Sequence, residues 1–131
     1  MKTALLAALL LATLATPAFS QHSDIDDVPI YEGTWTVHFQ DKRTARFVLT
    51  EWEGTWTETG PAATRHPACG GRKLPATVHH STTSELEFTV WGSKVSASCP
   101  DLGFTLAPVG GPNVLEGTAG EEKVRLTRTR R

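Results

Sequence analysis

Five histidines (His22, His38, His66, His79 and His80), two cysteines (Cys69 and Cys99) and three close carboxylate pairs are the residues of this chain whose types could do chemistry. Nucleophilic catalysis needs Ser or Cys beside a base, and neither a Gly-x-Ser-x-Gly elbow nor a matched Cys/His pair occurs. Glu51 with Glu53, and Glu85 with Glu87, stand two apart; on a strand each pair shares a face at roughly 7 Å, a spacing superficially suited to glycoside hydrolysis. Alternation explains them more simply: Glu85 and Glu87 lie opposite Leu86, Phe88 and Val90 and form a solubilising outer face. Glu121 and Glu122 are adjacent. Neighbouring His79 and His80 on a strand point to opposite faces. Only one of them could join His66 or His38 around a zinc or copper ion, and no spacing fixes such a site. The residues therefore read as a protein that is not an enzyme, with no metal and no cofactor.

The leader sets the chemistry available to the cysteines. Lys2, an apolar run from Ala4 to Ala15 and the small-residue site Ala18-Phe19-Ser20 read as a cleaved secretory signal peptide over residues 1–20. The run is short against the roughly 20 residues of a membrane span, and no second apolar stretch follows. The exported chain is expected in the periplasm or outside the cell. There a single Cys69–Cys99 bridge is the default, and zinc or thiol chemistry is disfavoured because neither cysteine belongs to a C-x-x-C pair. With 13 basic against 14 acidic residues and a net charge of −1, the chain has no global pull on nucleic acid. The local exception is Arg125, Arg128, Arg130 and Arg131, which could meet an anionic surface but also fit a solvated last strand.

The elements that must position these residues are strands. Gln21 to Pro29 is polar and acidic, with Asp24, Asp26 and Asp27, and reads as a flexible arm. From Ile30 the apolar period becomes two: Gly33, Trp35, Val37 and Phe39 share one face, then Ala45, Phe47 and Leu49 across a polar turn. Gly54 suggests a bulge or kink before Trp56. Gly60 to Leu74 is the longest irregular segment. Further short strands are predicted near Pro75–His80, Glu85–Trp91, Lys94–Ser98, Leu102–Ala107, Val114–Gly117 and Glu122–Arg128. No apolar stretch after residue 20 has a helical period. Residues 30–131 are thus expected to form one all-β domain, a small up-and-down antiparallel β-barrel of about eight strands, with a sandwich as the alternative. A barrel removes exposed sheet edges, a hazard in a chain rich in Thr and Val.

Gly33-Thr34-Trp35 at the head of the first strand resembles the calycin barrels: lipocalins, avidins and the small bacterial metalloprotease inhibitors. The resemblance implies that Trp35 closes one end and that an Arg of the last strand packs across it. Arg128 shares a face with Val124 and Leu126 and is the candidate, for a cation–ring contact of about 0.5 to 2 kcal/mol. Gly54-Thr55-Trp56 and Phe88-Thr89-Val90-Trp91 are similar to avidin motifs. The biotin ligands are not reproduced, because Val37, Asp41 and Trp56 stand where an amide, a serine and a tyrosine are expected. The metalloprotease inhibitors match in size, export and a single bridge, and imply that the arm Gln21 to Pro29 could plug a protease cleft. Their cysteines, however, bridge early strands.

Four tryptophans exceed the one or two that close a small barrel. Trp52, Trp56 and Trp91, beside the loop carrying Arg65 and Arg72, form the candidate binding surface, unless they fold over the barrel ends. The expected function is an exported binding protein for a small apolar or amphipathic molecule or a protein. Inhibition of an exported hydrolase, through the arm or the loop around Cys69, is the alternative. A third possibility is a component of an envelope assembly. Ligand, oligomeric state and the existence of an open interior are not legible at this level.

Overall fold

The computed structural model describes residues 30–131; the leader and the acidic arm lie outside the described residues. Eight strands follow in order: β1 Gly33–Phe39, β2 Thr44–Thr50, β3 Glu53–Glu58, β4 Leu74–Thr82, β5 Glu85–Val90, β6 Leu102–Pro108, β7 Val114–Ala119 and β8 Glu122–Arg130. Each runs antiparallel to its successor, and β8 pairs back onto β1, closing the barrel. This is an up-and-down architecture compatible with the calycin group.

Alternation in the sequence becomes inside and outside in the structure. Trp35, Val37 and Phe39 of β1 point inward, as do Ala45, Phe47 and Leu49 of β2, and all six are buried. An eight-stranded barrel is just wide enough for side chains to fill it. Here the filling is aromatic: the Phe88 ring lies between those of Phe47 and Phe104, at centroid separations of 4.3 Å and 4.5 Å. Trp56 tilts against Phe104 at 5.0 Å. The waist of the barrel is therefore solid.

Gly54 shows how the filling dictates sequence. Its strand pairs with β2 and β4 in unbroken register, so of the bulge or kink expected there the bulge is absent. A Cβ at this inward position would overlap the Phe47 ring. The glycine is room for an aromatic neighbour, and Trp56 two residues on keeps the same inward face. A second expectation also fails. Residues 94–98 form no strand: a 3-10 turn over Gly92–Lys94 leads into further turns, with Val95 and Ser96 donating to the Gly92 carbonyl and Cys99 to that of Ser96. Local hydrogen bonds satisfy this backbone, and the sheet closes with eight strands.

One end of the barrel is shut by the start of β1. Trp35 is fully buried, and its indole N–H donates to the Tyr31 carbonyl at 2.9 Å. The Arg128 guanidinium lies 4.8 Å from the Trp35 ring centroid. It donates to the carbonyls of Ile30 at 3.2 Å, Glu32 at 2.6 Å and Pro112 at 2.9 Å, and to Asn113 Oδ1 at 3.0 Å. One planar cation thus ties the entry turn, the β6–β7 connection and the last strand together. A register shift between Thr34 and Trp35 brings Trp35 opposite Arg128. Gly33, with φ 132°, occupies a conformation that L side chains rarely adopt, beside the Arg130 carbonyl. Tyr31 completes this end, donating from its hydroxyl to the Thr82 carbonyl at 2.6 Å.

Two outcomes follow for this end. Arg128→Ala, read by urea unfolding, is expected to lower stability by about 2–4 kcal/mol, the combined scale of a cation–ring contact and charged hydrogen bonds. Arg128→Lys should restore only part, because an ammonium cannot reproduce the fork. The second concerns Tyr31, the chain's single tyrosine. Burial raises its pKa from 10.0, against the lowering influence of the Arg128 charge. The unfolded chain therefore releases this proton first, so the associated stability is intact below about pH 10 and falls as pH rises toward the folded value. Phenolate absorbance should titrate at higher pH in the native protein than in urea; coincident midpoints would contradict the burial argument.

Candidate functional site

The opposite end is built differently. Two long connections, residues 59–73 and 91–101, leave the barrel there, and the Cys69–Cys99 disulfide joins them with a Cα separation of 5.1 Å across 30 residues of sequence. The first connection turns tightly, with Cys69 and Gly70 donating to the His66 carbonyl and Arg72 to that of Cys69. The bridge holds both loops at the barrel mouth, with both cysteines buried against the core and Cys69 in contact with the opening.

Beneath them lies a cavity of about 140 Å³. Its walls are apolar: Phe39, Trp56, Leu74, Val90 and Leu102, with Cys69 and Pro100 toward the loops. Arg43, Thr44, Glu58, His66 and Glu122 supply the polar part of the lining. The Arg43 guanidinium lies 4.4 Å from the Phe39 ring centroid and donates from Nη2 to both Glu122 oxygens. Its Nε donates to Asp41. The bond from Glu122 holds Arg43 more firmly protonated than usual, against burial, which acts the other way. Glu58 accepts the His66 backbone N–H, and His66 Nδ1 accepts that of Ala68 at 3.2 Å. The result is a small greasy pocket with a fixed cation and carboxylates around it.

The tryptophans named from sequence do not meet here as a group. Trp56 forms one wall of the cavity but is buried among Phe39, Phe47 and Phe104, so it belongs to no exposed cluster. The reason is register: it pairs with Phe47 on the inward face. Trp52 sits in the β2–β3 turn at the far end of the barrel, 36% exposed. Trp91 lies on the outer wall, its indole N–H donating to Thr77 Oγ1 at 3.1 Å, its ring edge-on to His79 and under the Lys94 ammonium. No ring contact joins Trp52, Trp56 and Trp91 among the described residues. Arg72 is exposed on the loop, whereas Arg65 is half-buried with its guanidinium against Gly71.

Arg43 and Glu58 escaped the sequence reading, and Glu122 entered it only as the neighbour of Glu121. The available signal was parity: Glu58 has the inward phase of Trp56, and Glu122 that of Val124, so each is a carboxylate at the mouth end of an inward row. His79 and His80 depart from expectation as well. The β4–β5 pairing shifts register between Val78 and His80, and both histidines are exposed on the outer wall instead of alternating.

Comparison with protein-family models, curated proteins and solved structures yields no match. Among the described residues no helix is long and apolar enough to cross a membrane.

Replacing both Cys69 and Cys99 by Ser should cost about 3–4 kcal/mol on the loop-entropy estimate for this span. The barrel itself is expected to survive, because all eight strands pair without the bridge. Retained far-ultraviolet dichroism with a lowered urea midpoint would show this; collapse of the strand signal would contradict it.

Proposed function

We propose that this chain is an exported, non-enzymatic binding protein whose disulfide-flanked mouth receives an apolar group about the size of one aromatic ring. The observation that carries the reading is the 140 Å³ cavity over a solid aromatic waist. An apolar cavity of about 150 Å³ accommodates benzene, whereas sites for drug-sized ligands run to about 300–1,000 Å³. The occupant is therefore a small aromatic molecule, or one side chain of a protein partner, and not a long acyl chain. Arg43 with Glu122, and Glu58 beside His66, supply polar groups that would orient it.

The calycin resemblance and the disulfide support export and a binding role. The alternative, inhibition of an exported hydrolase, draws support from one feature. The Ala62 and Ala63 segment of a 3-10 turn is exposed on the loop that Cys69 pins, a rigid projection of the kind a cleft would accept.

Trp56 lines the cavity, so its emission should respond to occupancy. Titration with indole, phenol and benzyl derivatives is expected to give saturable one-to-one quenching. Leu102→Phe, which adds volume to the lining at a half-buried position, should abolish the quenching while costing no more than about 1–3 kcal/mol of stability. An absence of saturable response to every ring compound would overturn the small-molecule form of the proposal. Quenching unaffected by Leu102→Phe would move the site elsewhere.

A further inference from the structure

On the outer wall, away from the mouth, three potential metal ligands converge. His80 on β4 and Glu85 and Glu87 on β5 each offer one ligand atom, all within 4.8 Å of one another. His80 is paired across the ladder with Glu87, and its Nε2 lies 3.4 Å from Glu85 Oε1.

A β-bulge produces this arrangement. In unbroken alternation only one of His79 and His80 would face outward. The register shift between Val78 and His80 leaves both exposed while Val78 and Ser81 remain buried. Bulges commonly re-aim a side chain in this way beside functional sites. Glu85 and Glu87 face the same side of β5; among the described residues His80 is the only ion-pair partner of Glu85, and Glu87 has none. Two carboxylates side by side with no lysine or arginine bridging them make a local negative site, and the bulge adds a nitrogen ligand to it.

From this geometry we infer an exchangeable site for a first-row divalent transition metal, of the Zn²⁺ or Co²⁺ type, held by His80, Glu85 and Glu87. An imidazole nitrogen beside carboxylate oxygens suits such ions better than Ca²⁺ or Mg²⁺, which prefer oxygen alone. Tetrahedral zinc, with bonds of about 2.0–2.2 Å, needs ligand atoms about 3.3–3.6 Å apart. The three side chains must therefore close by about 1 Å, which exposed or half-buried rotamers can do. Three protein ligands leave the fourth position toward solvent, for water or for a donor from another molecule. His79 is held beside the site by Thr89, with His79 Nε2 and Thr89 Oγ1 2.8 Å apart, and its ring stands edge-on to Trp91. It flanks the metal and does not ligate it. The inference is independent of what the barrel mouth binds.

Titration of untagged, full-length protein with Zn²⁺, and with Co²⁺ as a spectroscopic probe, tests the site. One equivalent is expected to bind, with Zn²⁺ raising Tm. His80→Ala should weaken binding by at least about 100-fold, above the usual loss for an outer-shell partner, and should abolish the Tm rise while leaving the metal-free Tm unchanged. Glu85→Gln combined with Glu87→Gln should do the same, which guards against a folding defect in either variant. His66→Ala and His22→Ala should leave binding intact. Failure to bind either metal, binding that survives loss of His80, binding lost with His66 or His22, or preference for Ca²⁺ would each overturn the inference.

Discussion

The pairing of the first strand with the last is the constraint on which the rest of this structure depends. A sheet whose edges remain open exposes rows of unpaired backbone groups, and closure removes them at once. It also fixes the interior, because every inward side chain must then share one narrow cylinder. At the closing seam Arg128 reaches over Trp35 and binds carbonyls from two other connections, so the register of the last strand and the position of the entry turn are set by one side chain. Burial, and secondarily the Arg131 charge, make this guanidinium somewhat easier to deprotonate than a free one. It remains cationic at any physiological pH.

The two ends of the cylinder solve different problems. Where Trp35 lies, a buried indole, a hydrogen-bonded Tyr31 and the Arg128 fork shut the barrel. At the other end a second arginine, Arg43, also lies over an aromatic ring, but it is drawn sideways to Glu122 and Asp41 on the rim. The loops above are too rich in Pro and Gly to extend the sheet. The disulfide, buried with the core, holds them at the mouth, and the stacked Phe47, Phe88 and Phe104 rings fill the waist of the barrel. A small pocket follows from that division of labour.

The outer wall carries its own device. A single extra residue in β4 changes which side chains are presented to solvent, bringing His80 to the same surface as Glu85 and Glu87 while the interior rows continue undisturbed. A bulge in a closed barrel is thus a means of altering the surface without repacking the core.

Much of the fold was legible in the amino-acid order. Strict alternation around Trp35, Phe47, Phe88 and Leu126, with turn residues between short runs, requires half-buried strands, and their number suits a barrel; two cysteines in such a chain point to one bridge. These follow because strand periodicity is a local property of the chain. The functional surface was legible only in part. Gly54 looked like a break in a strand because the Phe47 ring it accommodates lies on a neighbouring strand. Trp56 looked like a surface anchor because its inward register is set by β2. Val95 and its neighbours resembled a strand, yet the turns that satisfy their backbone gave that segment to the mouth. The sequence by itself determined the strand period and the chemistry of the cysteines, and it favoured a barrel over a sandwich; the pairing of β8 with β1 that closes the sheet is a fact of the tertiary structure. Only the tertiary structure decided which charged groups meet at the rim and which histidine joins two glutamates, because those contacts depend on register between strands, and one residue of shift reverses every face.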